Sequence, residues 1–285
     1  MASNSNNVYV VYNLSTSYYI NSYDSDGVYL SNWSIETTEN IGNALAVDIS
    51  NNVYTITSDQ HSIKKRNSSG TLTLTKTETN YIYNISVGPD GYIYTQEYDA
   101  DFNTGYLSKR NVSDLVSVGT RNLSGINSYY GMTIDSDGDF YLMNDTTNKY
   151  ERWDWTTGLV SSVTANHTTF NSLGVSASLI ADVHWLNHAL TRAKDLSGAE
   201  TNVELTDMTS PGACGNVYGE YFLYTGYDVD SMLVLGKYDT SLTKVWTVVV
   251  PNSVNYSYGS IGSYPFSEIK LTYDFPLYPV IFPLR

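Results

Sequence analysis

Thr71-Leu72-Thr73-Leu74-Thr75 alternates polar and apolar residues with a period of two, the period of a strand with one buried face. No segment carries the 3.6-residue apolar stripe and end caps of an amphipathic helix. Instead, short apolar or aromatic runs are cut by turn residues at regular intervals. One such unit is an apolar start, two or three mixed residues, then Asp or Asn and a small-residue turn. It reads Ile20-Asn21-Ser22-Tyr23-Asp24-Ser25-Asp26-Gly27, then Ile63-Lys64-Lys65-Arg66-Asn67-Ser68-Ser69-Gly70. It returns at Leu107 to Asn111, Tyr150 to Asp154, Leu190 to Asp195 and Leu235 to Asp239. The anchors Asp24, Asn67, Asn111, Asp154, Asp195 and Asp239 are 43, 44, 43, 41 and 44 residues apart.

A second motif keeps the same phase: a turn, then an aromatic strand. It is seen in Asn7-Val8-Tyr9-Val10, Asn52-Val53-Tyr54-Thr55, Tyr92-Ile93-Tyr94-Thr95 and Asp139-Phe140-Tyr141-Leu142, and more weakly at His184-Trp185-Leu186 and Tyr221-Phe222-Leu223. A short apolar strand precedes several copies, as in Ala44 to Asp48, Asn84 to Val87 and Gly131 to Asp135. A fourth strand follows each anchor, such as Val28 to Ile35, Thr71 to Thr77 and Leu115 to Arg121. Four short strands per unit of about 43 residues are the pattern of a propeller blade. The pattern therefore predicts an all-β, six-bladed β-propeller of four-stranded blades over residues 1–274. The chain starts at what is a second strand elsewhere, so the first blade lacks an inner strand. Glu268-Ile269-Lys270-Leu271-Thr272-Tyr273-Asp274 is the expected replacement, joining the two ends and closing the ring.

The phrases Ala46-Val47-Asp48 with Asn51-Asn52-Val53-Tyr54, and Ile63 to Gly70, resemble NHL-type and related bacterial β-propeller repeats over about 7–274. The resemblance implies a six-bladed ring whose inner strands line a channel. It implies no function, because propellers serve as enzymes, binders and scaffolds alike.

Composition narrows the setting. Of 285 residues, 26 are Asn, 34 Ser, 30 Thr and 27 Tyr, yet only 15% are charged, and the net charge is −14. Polarity comes from hydroxyls and amides. Fifteen Lys+Arg against 29 Asp+Glu argue against a nucleic-acid partner, which demands a positive face. The single cysteine, Cys214, allows no intrachain disulfide. Met1 to Asn7 has neither the positive charge nor the apolar run of a signal peptide. No window reaches the ~18 apolar residues of a membrane span, so no membrane insertion is expected.

Candidate chemistry is sparse. Asp24-Ser25-Asp26-Gly27 and Asp135-Ser136-Asp137-Gly138-Asp139 look like calcium loops but fall where hairpin turns are expected. The first also touches the sialidase Asp-box, with its Gly one position late. On one strand, His184 and His188 would lie about 13 Å apart, too far to share a metal ion. No nucleophile elbow, phosphate loop or His–carboxylate cluster appears, so no catalytic residue, metal or cofactor is expected. Nine Asn-x-Ser/Thr sequons reflect composition. Tyr129, Tyr130, Trp155, Tyr256 and Tyr258 are candidate glycan-stacking residues, or else strand and blade packing. The tail 275–285 holds three prolines and seven large apolar residues: Phe275, Leu277, Tyr278, Val280, Ile281, Phe282 and Leu284. It reads as an extended docking segment for a partner.

These features together suggest a non-enzymatic structural or attachment component of a virus particle, resembling a bacteriophage fibre, tail or capsid-surface protein. It would be located in the virion, would bind other virion or assembly proteins through the tail, and could contact a host-surface glycan. The alternatives are a carbohydrate- or protein-binding propeller at a bacterial cell surface and a glycan-active, sialidase-like enzyme.

Overall fold

The computed structural model describes residues 2–3, 7–14, 17–24, 29–35, 41–102, 104–123, 129–144 and 146–164. Beyond these it describes the segments 173–176, 179–184, 189–194, 201–204, 210–216, 221–227, 233–239, 241 and 243–249. Every regular element among them is a strand, and no helix there is long and apolar enough to cross a membrane.

The strands form six four-stranded antiparallel sheets, each built from four consecutive strands in spatial order. The first holds β1 (Ala2–Ser3), β2 (Asn7–Leu14), β3 (Ser17–Asp24) and β4 (Tyr29–Ile35). The second holds β5 (Ile41–Val47), β6 (Val53–Thr57), β7 (Ser62–Arg66) and β8 (Leu72–Thr77). The third holds β9 (Tyr81–Val87), β10 (Ile93–Tyr98), β11 (Gly105–Arg110) and β12 (Ser117–Asn122). The fourth holds β13 (Tyr129–Ile134), β14 (Phe140–Asn144), β15 (Lys149–Asp154) and β16 (Gly158–Thr164). The fifth holds β17 (Leu173–Ser176), β18 (Leu179–His184), β19 (Ala189–Lys194) and β20 (Thr201–Glu204). The sixth holds β21 (Ser210–Asn216), β22 (Tyr221–Tyr227), β23 (Leu233–Asp239) and β24 (Lys244–Val249). From β1 through β5, β9, β13 and β17 to β21, each sheet's first strand lies beside the first strand of the next. This is the arrangement of consecutive blades.

The core lies between sheets. Tyr9, Ile20 and Ile35 of the first sheet pack with Leu45, Val47 and Val53 of the second. Tyr54, Ile56 and Ile63 of the second pack with Ile82, Ile85, Ile93 and Leu115 of the third. Tyr94, Leu107 and Leu123 of the third pack with Met132, Ile134, Phe140, Leu142 and Trp153 of the fourth. The second strand of a sheet is thus covered on both faces: Val53 faces one cluster and Tyr54 and Ile56 the next. A strand buried on both sides has no reason to alternate, and β10 and β14 are buried along their whole length. Alternation survives only in the outer strands, where β8 and β12 run exposed and half-buried by turns.

The anchors end the third strand of each sheet or follow it directly. Asn67 Oδ1 accepts the N–H groups of Ser69 and Thr71, Asp154 Oδ1 those of Thr156 and Thr157, and Asp239 Oδ1 those of Ser241 and Thr243. This is the side-chain-mimicked turn that Asn and Asp favour. A β-bulge falls just before the anchor in five sheets, at Ser22/Tyr23, Lys65/Arg66, Lys109/Arg110, Arg152/Trp153 and Lys237/Tyr238, and bends the outer strand away.

Three expectations change. Residues Ala2 and Ser3 pair with Tyr9 and Val8, so the first sheet does not lack a strand on that side. In the fifth sheet the second strand is Leu179–His184 and does not begin at His184; His184 pairs with Ala189 of the next strand. His188, and with it the expected His184–His188 separation, lies outside the described residues. The strand after Asn111 starts at Ser117 and not at Leu115, because Leu115 is buried at a φ of 59° within the turn. Residues 268–274 and the tail lie outside the described residues.

Candidate functional site

Antiparallel pairing sends the connections of every sheet to two opposite ends. At the first end, which joins first to second and third to fourth strands, one polar unit recurs in three successive sheets. Tyr54 donates to Asp48 Oδ2 at 2.7 Å, and Tyr94 donates to Asp90 Oδ2 at 2.7 Å. Tyr141 bonds Asp135 in the same way. Each tyrosine stands directly opposite a cation on the third strand: Lys65, Lys109 and Arg152. Each cation lies over its ring, at 5.6, 5.6 and 6.0 Å from the centroid. Burial first, and then the adjacent carboxylate, pushes the phenols of Tyr54 and Tyr94 far above their usual range. For Tyr141 the same two causes apply, with Asp135 the first charge involved.

The carboxylates are occupied at once by turn and strand. Asp48 Oδ1 accepts Ser50 and Asn52 N–H, and Asp135 Oδ1 accepts Asp137 and Asp139 N–H. Arg152 holds Asp139 through Nε at 2.6 Å. In the third sheet Gly88 takes the turn position of Asp48, and the acid has moved to Asp90. A Cβ at Gly88 would stand 2.6 Å from the Tyr94 ring, so the two placements are mutually exclusive. Burial opposes ionisation of Asp90, but the bonds from Lys109, Tyr94 and the Tyr92 N–H prevail and hold it below the usual carboxylate range. Among the described residues no group of three or more His, Cys, Asp or Glu side chains could hold a metal ion. In the Asp135–Asp139 loop, Asp135 accepts from its own backbone and Tyr141, and Asp139 holds Arg152.

Between the second and third sheets lies a buried charge cluster, and at the end opposite the polar units a group of rings. Arg110 donates from Nη2 to Glu97 at 2.7 Å, from Nη1 to Glu78 at 2.6 Å and from Nε to the Thr95 hydroxyl at 3.1 Å. Burial lowers the guanidinium, but Glu97 and Glu78 outweigh it and raise Arg110 above its usual value. Arg66, one sheet earlier, is lowered by burial. Glu97 also accepts from Asn80, and the His61 ring meets the Asn80 carbonyl at 3.1 Å. Outside this cluster stand His61, Tyr81, Phe102, Tyr83 and Tyr98. Tyr81 is 4.3 Å from the His61 ring and 4.5 Å from Phe102, the latter pair stacked at 25°. Tyr83 meets Tyr98 and Phe102 edge-on.

Of the residues singled out from sequence, Trp155 is half-buried, with its ring 5.5 Å from Tyr94 and 6.2 Å from Phe140. Its carbonyl accepts Arg121 Nε at 2.6 Å, which ties the third sheet to the fourth. Tyr129 and Tyr130 belong to β13, opposite Asn144 and Met143. Tyr256, Tyr258 and the tail residues lie outside the described residues. Sequence reasoning missed both the Asp–Tyr–cation units and the ring group. The former left a signal: an acidic turn before each aromatic strand and Lys or Arg just before each anchor. The latter left none in any single segment, because its members come from two loops and two strands. The sequons at Asn84 and Asn144 are buried, with their amides bonded to Gln96 and Glu151, which closes both to glycosylation.

No protein-family model matches the chain, and no curated protein matches it in sequence. Its backbone is similar to solved β-propeller-like proteins. A protein of unknown function from Bacteroides caccae superposes with a TM-score of 0.63 at 10% identity, covering 93% of this chain and 97% of that one. A chain of the nidogen/laminin complex superposes with a TM-score of 0.64 at 14% identity, covering 94% and 98%. Virginiamycin B lyase from Staphylococcus aureus superposes with a TM-score of 0.55 at 14% identity, covering 75% and 71%. The class is thereby defined: an all-β protein of β-propeller-like fold. At these identities the likeness is one of fold.

Proposed function

We propose that the chain is a non-enzymatic protein-binding platform. In this reading residues 1–274 form a six-bladed ring. The tail docks on a partner through Phe275, Leu277, Tyr278, Val280, Ile281, Phe282 and Leu284. The observation that carries the reading is the fold itself: sheets in sequence, with polar units in three of them at one end, present turns held by their own side chains. The near-complete superposition on a chain from a nidogen/laminin complex, a structure of proteins bound to one another, supports it. The finer setting is a virion structural or attachment protein, supported by the lack of any intrachain disulfide and by a surface alphabet of Asn, Ser, Thr and Tyr.

The test is gel filtration of the full chain and of a chain lacking 275–285 with purified virion proteins. The full chain is expected to co-elute with a partner and the truncated chain to run alone, still folded. Co-elution of the truncated chain would overturn the docking role of the tail. Turnover of a glycan substrate by the full chain would overturn the non-enzymatic reading.

A further inference from the structure

In three successive sheets the loop from second to third strand places one residue in the left-handed region: Gln60 at φ 62°, Phe102 at 55° and Asn148 at 52°. Gln60 and Phe102 close the same turn, their N–H groups donating to Thr57 and Asp99 carbonyls. Asn tolerates this conformation and an unbranched polar Gln accepts it, but a bulky aromatic there is an outlier. The turn does not demand Phe, since its two counterparts use amides. Strain kept without a structural need marks positions selected for something else.

The ring's surroundings indicate what that is. His61, Tyr81 and Phe102 form a row of rings, and Phe102 ends it. Phe102 stacks on Tyr81, meets Tyr83 edge-on and lies 6.1 Å from the tilted ring of Tyr98, and the residue remains 43% exposed. The loops around it carry Asp59 and Gln60 on one side and Asp99 and Asp101 on the other, and neither loop contains Lys or Arg. The Thr57 hydroxyl and the His61 N–H keep Asp59 below the usual carboxylate range. A part-exposed aromatic ring beside hydrogen-bond acceptors suits a ligand with an apolar C–H face and hydroxyl donors. Three carboxylates on the rim repel anions.

We propose that the exposed part of the Phe102 ring packs against a neutral or amino sugar, whose hydroxyl or ammonium groups donate to the Asp101 carboxylate. This site is independent of the docking tail, and a tail-truncated chain retains it.

The full chain is applied to a printed array of neutral, amino and sialylated oligosaccharides, and hits are titrated by saturation-transfer NMR. Binding is expected for neutral or amino oligosaccharides and not for sialylated ones. Phe102→Asn, which installs the residue used at position 148, should remain folded and bind roughly ten-fold more weakly, the scale of one lost ring contact. Asp101→Ala, at an exposed position, provides the second variant and should also weaken binding. A blank array, binding confined to sialylated sugars, or unchanged binding by folded Phe102→Asn would each overturn the assignment. A blank array together with Phe102-dependent capture of an unglycosylated peptide would assign the platform to protein and overturn it as well.

Discussion

Arg110 Nη2 lies 2.7 Å from Glu97 Oε1, and both side chains are almost wholly out of water. The pair joins β11 to β10, and Glu78, on the link from the second sheet, completes it. Breaking a buried pair from one side leaves an uncompensated charge, at a cost of about 3–5 kcal/mol. Arg110→Met is therefore expected to destabilise strongly by urea denaturation, and Glu97→Gln less, because its amide oxygen still accepts from the guanidinium. Equal stability of Arg110→Met and the parent would contradict the burial described.

Tyr94→Phe removes the hydroxyl that donates to Asp90 and keeps the ring on Phe140 and Trp155. The expected loss is about 1.5–3 kcal/mol, the range for a hydrogen bond to a charged group. Tyr54→Phe should lose a similar amount, since Tyr54 reaches Asp48 at the same 2.7 Å distance. Thermal unfolding of the two variants side by side measures whether the recurring units are equivalent.

Asp90 and Asp154 are both held below the usual carboxylate range in the folded chain. For Asp154 the Thr157 N–H is the leading cause and its hydroxyl the next. A depressed folded pKa stabilises above the unfolded value of about 4 and is lost as pH falls through the folded one. Stability should thus decline below about pH 4. Asp90→Asn should flatten part of that slope while lowering stability at neutral pH. A variant with the parent's full acid slope would show that Asp90 contributes none of it.

Gly70 sits at φ 81° in the turn after β7, and a Cβ there would stand 2.6 Å from the ring of Trp33 in the preceding sheet. Gly70→Ala combines left-handed strain with a collision across the sheet boundary. It should cost about 1–3 kcal/mol. Gly91→Ala, also at positive φ but with nothing within 4 Å, separates the two effects and should cost about 1 kcal/mol.

Much of the fold was legible because the anchors have a single physical job. Asn67, Asp154 and Asp239 each take two backbone N–H groups in a turn, so the same residue type returns at the same phase. The two-face burial of β10 was not legible, because a strand covered on both sides has no period to read. Residues 2–3 escaped notice because two residues carry no pattern. Phe102 was passed over for the opposite reason to the anchors: its turn position favours amides, and its neighbours in space, Tyr81 and His61, are distant in sequence.

Each described apolar cluster is shared by two sheets and belongs wholly to neither. A 43-residue unit is therefore a repeat of sequence without being a closed unit of packing. Copying one inserts a new seam of the same kind as the seam it interrupts, so such a chain can lengthen by duplication without inventing an interior. Excising one would bring together two faces that evolved against others, and the mismatch would be felt in the two flanking sheets before anywhere else.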